Sequence, residues 1–321
     1  MGRALYVAST GGHLDELVRL AARFEPADTG REWVTFASEQ SAEVLAGETV
    51  HLVAPIEPKD LRGALAAVPA AYRLIRRGGF DRVVSTGAAV AVPYAVAARL
   101  AGVRFHYVES SARSEGPSLT GKMLARIPGV RLYSQYEGWS GAKWRFRGSV
   151  LDAFRPTTPV AVPATVRRVV VVFGTQSGFS FYRAAQTLAK VLPEVCAPDA
   201  EILWQTGSTD VSGLGIEGVR HVAPAVLAAA VAEADLVIAH AGVGSALMAL
   251  EHGRCPLLIP RRAAEREHTD DHQVLVAREL SDRGLALTCD ASEVTGAELL
   301  RASALRAEPL TTPAPFPLDL G

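Results

Sequence analysis

Three cysteines in 321 residues, Cys196, Cys255 and Cys289, are too few and too widely spaced for a disulfide framework, and none forms a CxxC pair. A reducing, cytoplasmic setting is therefore expected. No stretch reaches the roughly 18 uncharged apolar residues that a membrane-spanning helix needs. No apolar run with a cleavage site precedes the first strand-like segment, ALYVAS (4–9). Any membrane contact is thus expected to be peripheral, at the inner face. The formal net charge of −1 lacks the basic excess of a nucleic-acid-binding domain. GxSxG, Walker A, HExxH and kinase motifs are missing, as are tandem repeats and low-complexity tracts.

What is present reads as a globular α/β protein. Apolar residues make up 49% and charged residues 21%, and the length suits two domains. Short β-branched runs at 4–9, 32–38, 49–54, 81–86 and 104–110 alternate with helical patterns at 13–24, 61–77 and 92–102, which predicts a parallel sheet covered on both faces. FRPTTPVAVPAT (154–165) has three prolines and no helical period, and marks a linker. The alternation then restarts, with strands at 167–175, 200–207, 218–224, 234–242, 255–260 and 285–289. Helices are expected at 179–192, 225–233, 245–252 and 272–284. The expected division is 1–153, a linker at 154–165, 166–305, and a Pro-rich tail at 306–321, either disordered or a strap that crosses back.

Chemistry-bearing residues gather where strands end. Ser9-Thr10-Gly11-Gly12-His13 lies between the first strand and the first helix. Its glycines let the backbone turn and approach a ligand, and the helix N-terminus that follows suits a phosphate. The spacing is not that of GxGxxG, and a plain tight turn is the alternative. His13 can bind a phosphate or act as a base near neutral pH. Ser85-Thr86-Gly87-Ala88-Ala89 repeats the pattern of small residues at a strand end, where helix packing explains it equally well. Glu109 closes the strand at 104–110. It is either a general base, an acceptor-binding acid, an ion-pair partner of Arg113 or an exposed loop acid. In Ala239-His240-Ala241-Gly242-Val243-Gly244-Ser245, a strand, a Gly-rich turn and a helix start form one block. Gly242, Gly244 and Ser245 can offer donors to a diphosphate, and His240 can cap the turn. His268 and His272 would share a metal only within a helix, so the acidic stretch around them reads instead as a helix N-terminal turn, and no metal is expected. Arg261 and Arg262 face either a ligand or solvent.

The block AHAGVGSALMALEHGRCPLLIP with the following DDHQ resembles the nucleotide-sugar end of family 28 glycosyltransferases. STGGHLDEL, STGAAVAVPYAVAARLAG and YVESSARSEGPSLTGKML resemble the acceptor subunit of the two-subunit enzymes of exopolysaccharide and dolichol-linked oligosaccharide synthesis. VVVVFGTQSGFSFYRAA resembles their donor subunit. The lipid II N-acetylglucosaminyltransferases are more distant single-chain relatives. The resemblance spans about residues 4–290 and implies both subunits fused in one GT-B chain, two Rossmann-like parallel-sheet domains facing a cleft.

The resemblance implies transfer of a sugar from a nucleotide sugar, UDP-linked, to a lipid-linked or small-molecule acceptor, with inversion and without a cofactor or metal. It implies that Gly11, Gly12 and His13 lie near the diphosphate and acceptor, with His13 or Glu109 as the base. Gly174 and Thr175 would face the donor phosphates, and Gly242, Gly244 and Ser245, beside His240, would hold the diphosphate. Asp271 and Gln273 would lie beside the sugar. The family's ribose-binding Glu, eight residues after the His of HAGxGS, is Met248 here, and Glu251 three residues later is the candidate substitute. A nucleotide-sugar 2-epimerase, a non-catalytic partner protein and a natural-product glycosyltransferase are the competing readings.

Overall fold

A computed structural model describes residues 2–57, 60–174 and 178–319. The chain forms two compact units. One takes in the residues up to Asp152 together with those from Pro313 onward, and the other runs from Ala153 to Thr312.

The first unit contains strands β1 (Arg3–Ala8), β2 (Phe24–Glu25), β3 (Gly30–Thr35), β4 (Val50–Leu52), β5 (Arg82–Gly87), β6 (Arg104–Val108), β7 (Val130–Ser134) and β8 (Trp144–Phe146). Its helices are α1 (Gly12–Ala21), α2 (Glu39–Val44), α3 (Leu61–Gly78), α4 (Ala91–Ala101) and α5 (Leu119–Leu124). Seven strands pair in the order β4-β3-β1-β5-β6-β7-β8, all parallel. Leu5, Val7, Val83, Phe105 and Leu132 project from these strands into a core shared with Ile75, Ala95 and Ala98. Such runs are buried on both faces, as helix-covered parallel strands require.

The second unit contains β9 (Phe154–Pro156), β10 (Val166–Val172), β11 (Cys196–Gln205), β12 (Gly218–Val219), β13 (Leu236–His240), β14 (Leu257–Ile259), β15 (Leu287–Thr288) and β16 (Ala307–Pro309). Helices α6 (Tyr182–Val195), α7 (Pro224–Glu233), α8 (Val243–Glu251), α9 (His272–Asp282) and α10 (Gly296–Ala304) connect them. Six strands pair in parallel in the order β12-β11-β10-β13-β14-β15. Val169, Val171, Ile238 and Leu257 pack against Ala184, Leu188 and Leu299.

In both sheets the chain runs outward from a first strand on one side and then restarts on the other. The reversal falls between β1 and β5 in the first unit, and between β10 and β13 in the second. Neighbouring helices diverge at such a switch point and leave a crevice beyond the strands' carboxyl ends.

One stretch differs from the sequence reading: the segment taken as a linker begins with β9, which pairs antiparallel with β16. Of the two forms expected for the tail, the strap is the one found, since β17 (Phe316–Pro317) returns to the first unit and pairs with β2. Prolines at edge strands cost no ladder bond, which is why a Pro-rich tract can pair here.

His106 on β6 is fully buried, stacked on Tyr133 and hydrogen-bonded to its hydroxyl through Nδ1 at 3.0 Å, while its Nε2 has no partner. Burial first, then Arg131, Arg82 and Arg104, pushes its pKa down from 6.5 to about 3, with Asp319 opposing. Below pH 6.5 the unfolded chain takes up a proton that the folded state refuses, so this group subtracts stability as pH falls from 6.5 toward 3. The expected result is a flatter melting-temperature profile over that window in His106→Phe than in the wild type. Parallel profiles would contradict it.

Candidate functional site

At the first switch point, α1 starts immediately beyond β1. Gly11 is its N-cap at φ 83°, a left-handed conformation that favours glycine. Gln40 brackets this turn, accepting from Gly11 N–H at 2.6 Å and donating to Gly11 O and Asp15 Oδ1 at 3.2 and 2.9 Å. Side-chain positions at Gly11 and Gly12 open onto free space, so the backbone there is approachable.

His13, in the first turn of α1, is partly buried, and its Nδ1 lies 2.8 Å from Thr86 O at the end of β5. A carbonyl only accepts, so Nδ1 carries the proton and Nε2 keeps its lone pair. Thr86 Oγ1 donates back to His13 O at 2.7 Å, closing a reciprocal pair between α1 and β5. Gly87, at φ 109°, lets the ring approach: an added Cβ would meet His13 Cε1 at 3.1 Å. Burial holds the imidazole pKa below 6.5, against the upward pull of the Glu109 charge and the Thr86 carbonyl. The His13 ring is therefore neutral at physiological pH.

Glu109 is 1% exposed, which excludes an exposed loop acid. Tyr107 Oη and Ser110 N–H donate to its Oε1 at 3.0 and 3.3 Å, and Ser118 N–H and Oγ to its Oε2, both at 3.0 Å. Ser118 also caps α5, so the carboxylate ties the end of β6 to the start of that helix. Gly121 is obligatory beside it, because a Cβ there would lie 2.2 Å from Oε2. Burial raises its pKa, and these donors together with His13 oppose that.

Sequence reasoning missed Glu16 and Gln135. Glu16, one turn after His13, is 1% exposed and accepts from Ser110 Oγ at 2.7 Å, Ser111 N–H at 2.9 Å and Gln135 Nε2 at 2.8 Å. Gln135 Nε2 also donates to Glu109 O at 3.0 Å, and Gln135 Oε1 accepts from Val150 N–H at 2.7 Å. Helix α1 is thereby locked to the strand end that carries Glu109. A signal was available: in HLDELVRL, Glu16 falls on the stripe of His13, Leu17 and Leu20, and an acid on an apolar face is unusual unless partnered.

The second switch point has a similar construction. His240 ends β13, and its Nδ1 lies 3.2 Å from Val172 O on β10, which again leaves Nε2 as the lone-pair nitrogen. Burial, with the charges of Arg261, His268 and His272, lowers its pKa to about 3 despite that carbonyl. Its ring lies against two glycines. A Cβ at Gly174, which has φ 77°, would approach it to 2.7 Å, and one at Gly242 would come within 2.3 Å of Nε2. Gly242 is the N-cap of α8, and Gly244 and Ser245 fall in that helix's first turn, half-buried. Their N–H groups precede any intrahelical partner.

The other expected donor residues are placed differently. Thr175 lies outside the described residues. Met248 is half-buried on α8, whereas Glu251 is exposed on its last turn. Asp271 Oδ1 accepts from Ala263 N–H at 2.8 Å, and Gln273, 3% exposed, accepts from Arg261 N–H at 3.1 Å. Both hold the 261–263 turn against the start of α9. Arg261 is 2% exposed and spends its Nη atoms on the carbonyls of Phe173, Phe179 and Glu267. It is a clamp on these loops. Arg262 pairs with Asp290 at 2.6 Å.

The chain is similar to known proteins in sequence and in fold. Residues 168–306 match the family model "Glycosyltransferase family 28 C-terminal domain". The chain is 26% identical over 333 residues to the UDP-N-acetylglucosamine--N-acetylmuramyl-(pentapeptide) pyrophosphoryl-undecaprenol N-acetylglucosamine transferase of Nostoc punctiforme, covering 94% of this chain and 88% of that one. Among solved structures it is similar to Acinetobacter baumannii MurG, with a TM-score of 0.59 and 19% identity over 94% of this chain and 89% of that chain. It is also similar to the glycosyltransferase SnogD from Streptomyces nogalater, at TM-score 0.55 and 21% identity, over 95% and 90% of the two chains.

Proposed function

We propose, from the premise that this chain is a glycosyltransferase of GT-B architecture with a family 28 C-terminal domain, that it moves a sugar from a UDP-sugar to a lipid-linked acceptor. The carrying observation is the turn at Gly242 to Ser245: a glycine N-cap at a switch point, packed on a neutral histidine, with the first N–H groups of α8 beyond it. Such a terminus stabilises an anionic diphosphate in the ground state and on departure. His13 Nε2 accepts the proton of the attacking hydroxyl, while Glu109 and Glu16 hold the strand end beside it. Displacement is direct, with inversion at the anomeric carbon.

The lipid-linked acceptor is supported by the likeness to the Nostoc transferase, which acts on a pyrophosphoryl-undecaprenol-linked sugar. Helix α3 supports it, since Arg62, Arg73, Arg76 and Arg77 are exposed beside Leu65 and Tyr72 and the helix has no acid, a composition suited to an anionic bilayer surface. Among the described residues no helix is long and apolar enough to cross a membrane.

A thermal-shift screen against UDP, GDP, dTDP, ADP and their sugar conjugates tests the donor assignment. UDP compounds are expected to raise the melting temperature, corresponding to about 2.7 kcal/mol at a hundredfold excess over Kd. Gly242→Ala, whose Cβ collides with His240, is expected to lose the shift while staying folded. An equal response from that variant, or none from the wild type, would remove the basis of the reading. Transfer to a polyprenyl-diphosphate-linked sugar then tests the acceptor.

A further inference from the structure

A cluster outside the residues assigned so far lies in the loop that enters α9. His268, Asp270 and His272 each bring one donor atom to within 4.8 Å of the others. His268 is 9% exposed and stacked on Phe179, with ring centroids 5.4 Å apart. His272 opens α9 and meets the His268 ring edge-on at 4.5 Å. His268 Nδ1 lies 3.6 Å from Asp270 Oδ1, and His272 Nδ1 hydrogen-bonds the same oxygen. Thr269 Oγ1 and Asp270 N–H also face His268 Nδ1, at 3.3 and 3.5 Å.

We infer that His268 Nδ1, His272 Nδ1 and Asp270 Oδ1 form a binding site for a borderline divalent transition metal such as Zn²⁺ or Co²⁺. Two imidazoles and one carboxylate select such ions over Mg²⁺ or Ca²⁺, which prefer all-oxygen shells. Zinc bonds of about 2.0–2.2 Å set tetrahedral ligand atoms about 3.3–3.5 Å apart. The His268–Asp270 separation of 3.6 Å already approaches that value. The His272–Asp270 pair opens to it when the metal replaces the shared proton, so affinity falls in acid. Three protein ligands leave a coordination position for water or an incoming oxygen. The two histidines would share a face by sequence only in a helix. Here α9 begins at His272, and the loop, rather than helical periodicity, brings His268 across. The inference rests on this geometry and not on the proposed transfer reaction.

The test titrates Co²⁺ into the chelator-stripped full chain and follows the visible d–d bands, with Zn²⁺ and Mg²⁺ as competitors. One equivalent is expected to bind, displaced by Zn²⁺ and not by Mg²⁺. His268→Ala and His272→Ala are expected to lose the bands, and exposed His252→Ala to keep them. Asp270→Asn, which preserves shape, is expected to weaken binding by more than the roughly tenfold cost of losing an outer-shell partner. Absence of the bands in the wild type overturns the proposal, as does their survival in either histidine variant or equal competition by Mg²⁺.

Discussion

His13→Ala is expected to lower kcat by about 10²–10⁴-fold, the usual contribution of a positioned general base. The Thr86 carbonyl fixes the proton on Nδ1, and burial keeps the ring neutral, so Nε2 offers a lone pair at the first sheet's switch point. The melting shift caused by UDP is expected to persist in the variant, because the turn proposed to hold the diphosphate belongs to the other unit. The wild-type pH profile is expected to follow the same logic. In the proposed role the ring acts deprotonated, and its pKa lies below 6.5. The rate should therefore rise with pH in acid and level off before neutrality, and the acid limb should vanish in the variant's residual activity. Near wild-type turnover in His13→Ala would pass the role of base to another group.

Phe316→Ala is expected to destabilise the first unit by about 3–5 kcal/mol, the range for an aromatic core truncation. Phe316 is fully buried, edge-on to Phe24 and Tyr133 at 5.5 and 5.7 Å. Its N–H bonds Arg23 O and the N–H of Leu318 bonds Glu25 O, both at 2.7 Å. Arg23, 6% exposed, donates to Ala314 O and Ser149 O at 2.8 and 2.6 Å, and Asp319 pairs with Arg145 and Arg147. The effect is large against the 5–15 kcal/mol that stabilises a typical domain. Urea unfolding followed by tryptophan fluorescence in a Trp204→Phe background reads this unit specifically, since Trp33, Trp139 and Trp144 all lie in it. Phe316→Leu, which keeps most of the buried volume, should lose less. A change below about 1 kcal/mol for Phe316→Ala would show the tail to be dispensable.

The strand-helix alternation was legible because its physical cause is local. Buried parallel strands need unbroken β-branched runs such as VVVV (169–172), and the helices between them carry a 3.6-residue apolar period. Elements too short to show a period were not legible. Helices α2 and α5 have six residues each and rest on serine caps, Ser38 and Ser118. Strands β8 and β9 have three each and depend on partners elsewhere in the chain.

The candidate site divides along the same line. Gly11, His13, Gly242 and Ser245 stand out in sequence because a glycine turn at a strand end and the first residues of a helix are contiguous in the chain. Glu16, Gln135 and Ser118 act together across up to 119 residues, and only the packed sheet brings them to one point. Asp271 and Gln273 match a sugar-binding pattern, yet their hydrogen bonds to the 261–263 turn exist only once that turn folds back on α9. The alternating elements, the two parallel sheets and the glycine turns are written locally, since they follow from neighbours within a few residues. Which nitrogen of His13 carries the proton, how Glu109 is enclosed, where the tail docks and that His268 meets His272 come from packing. Burial, tautomer and ligand spacing depend on groups distant in the chain, and no local preference encodes them.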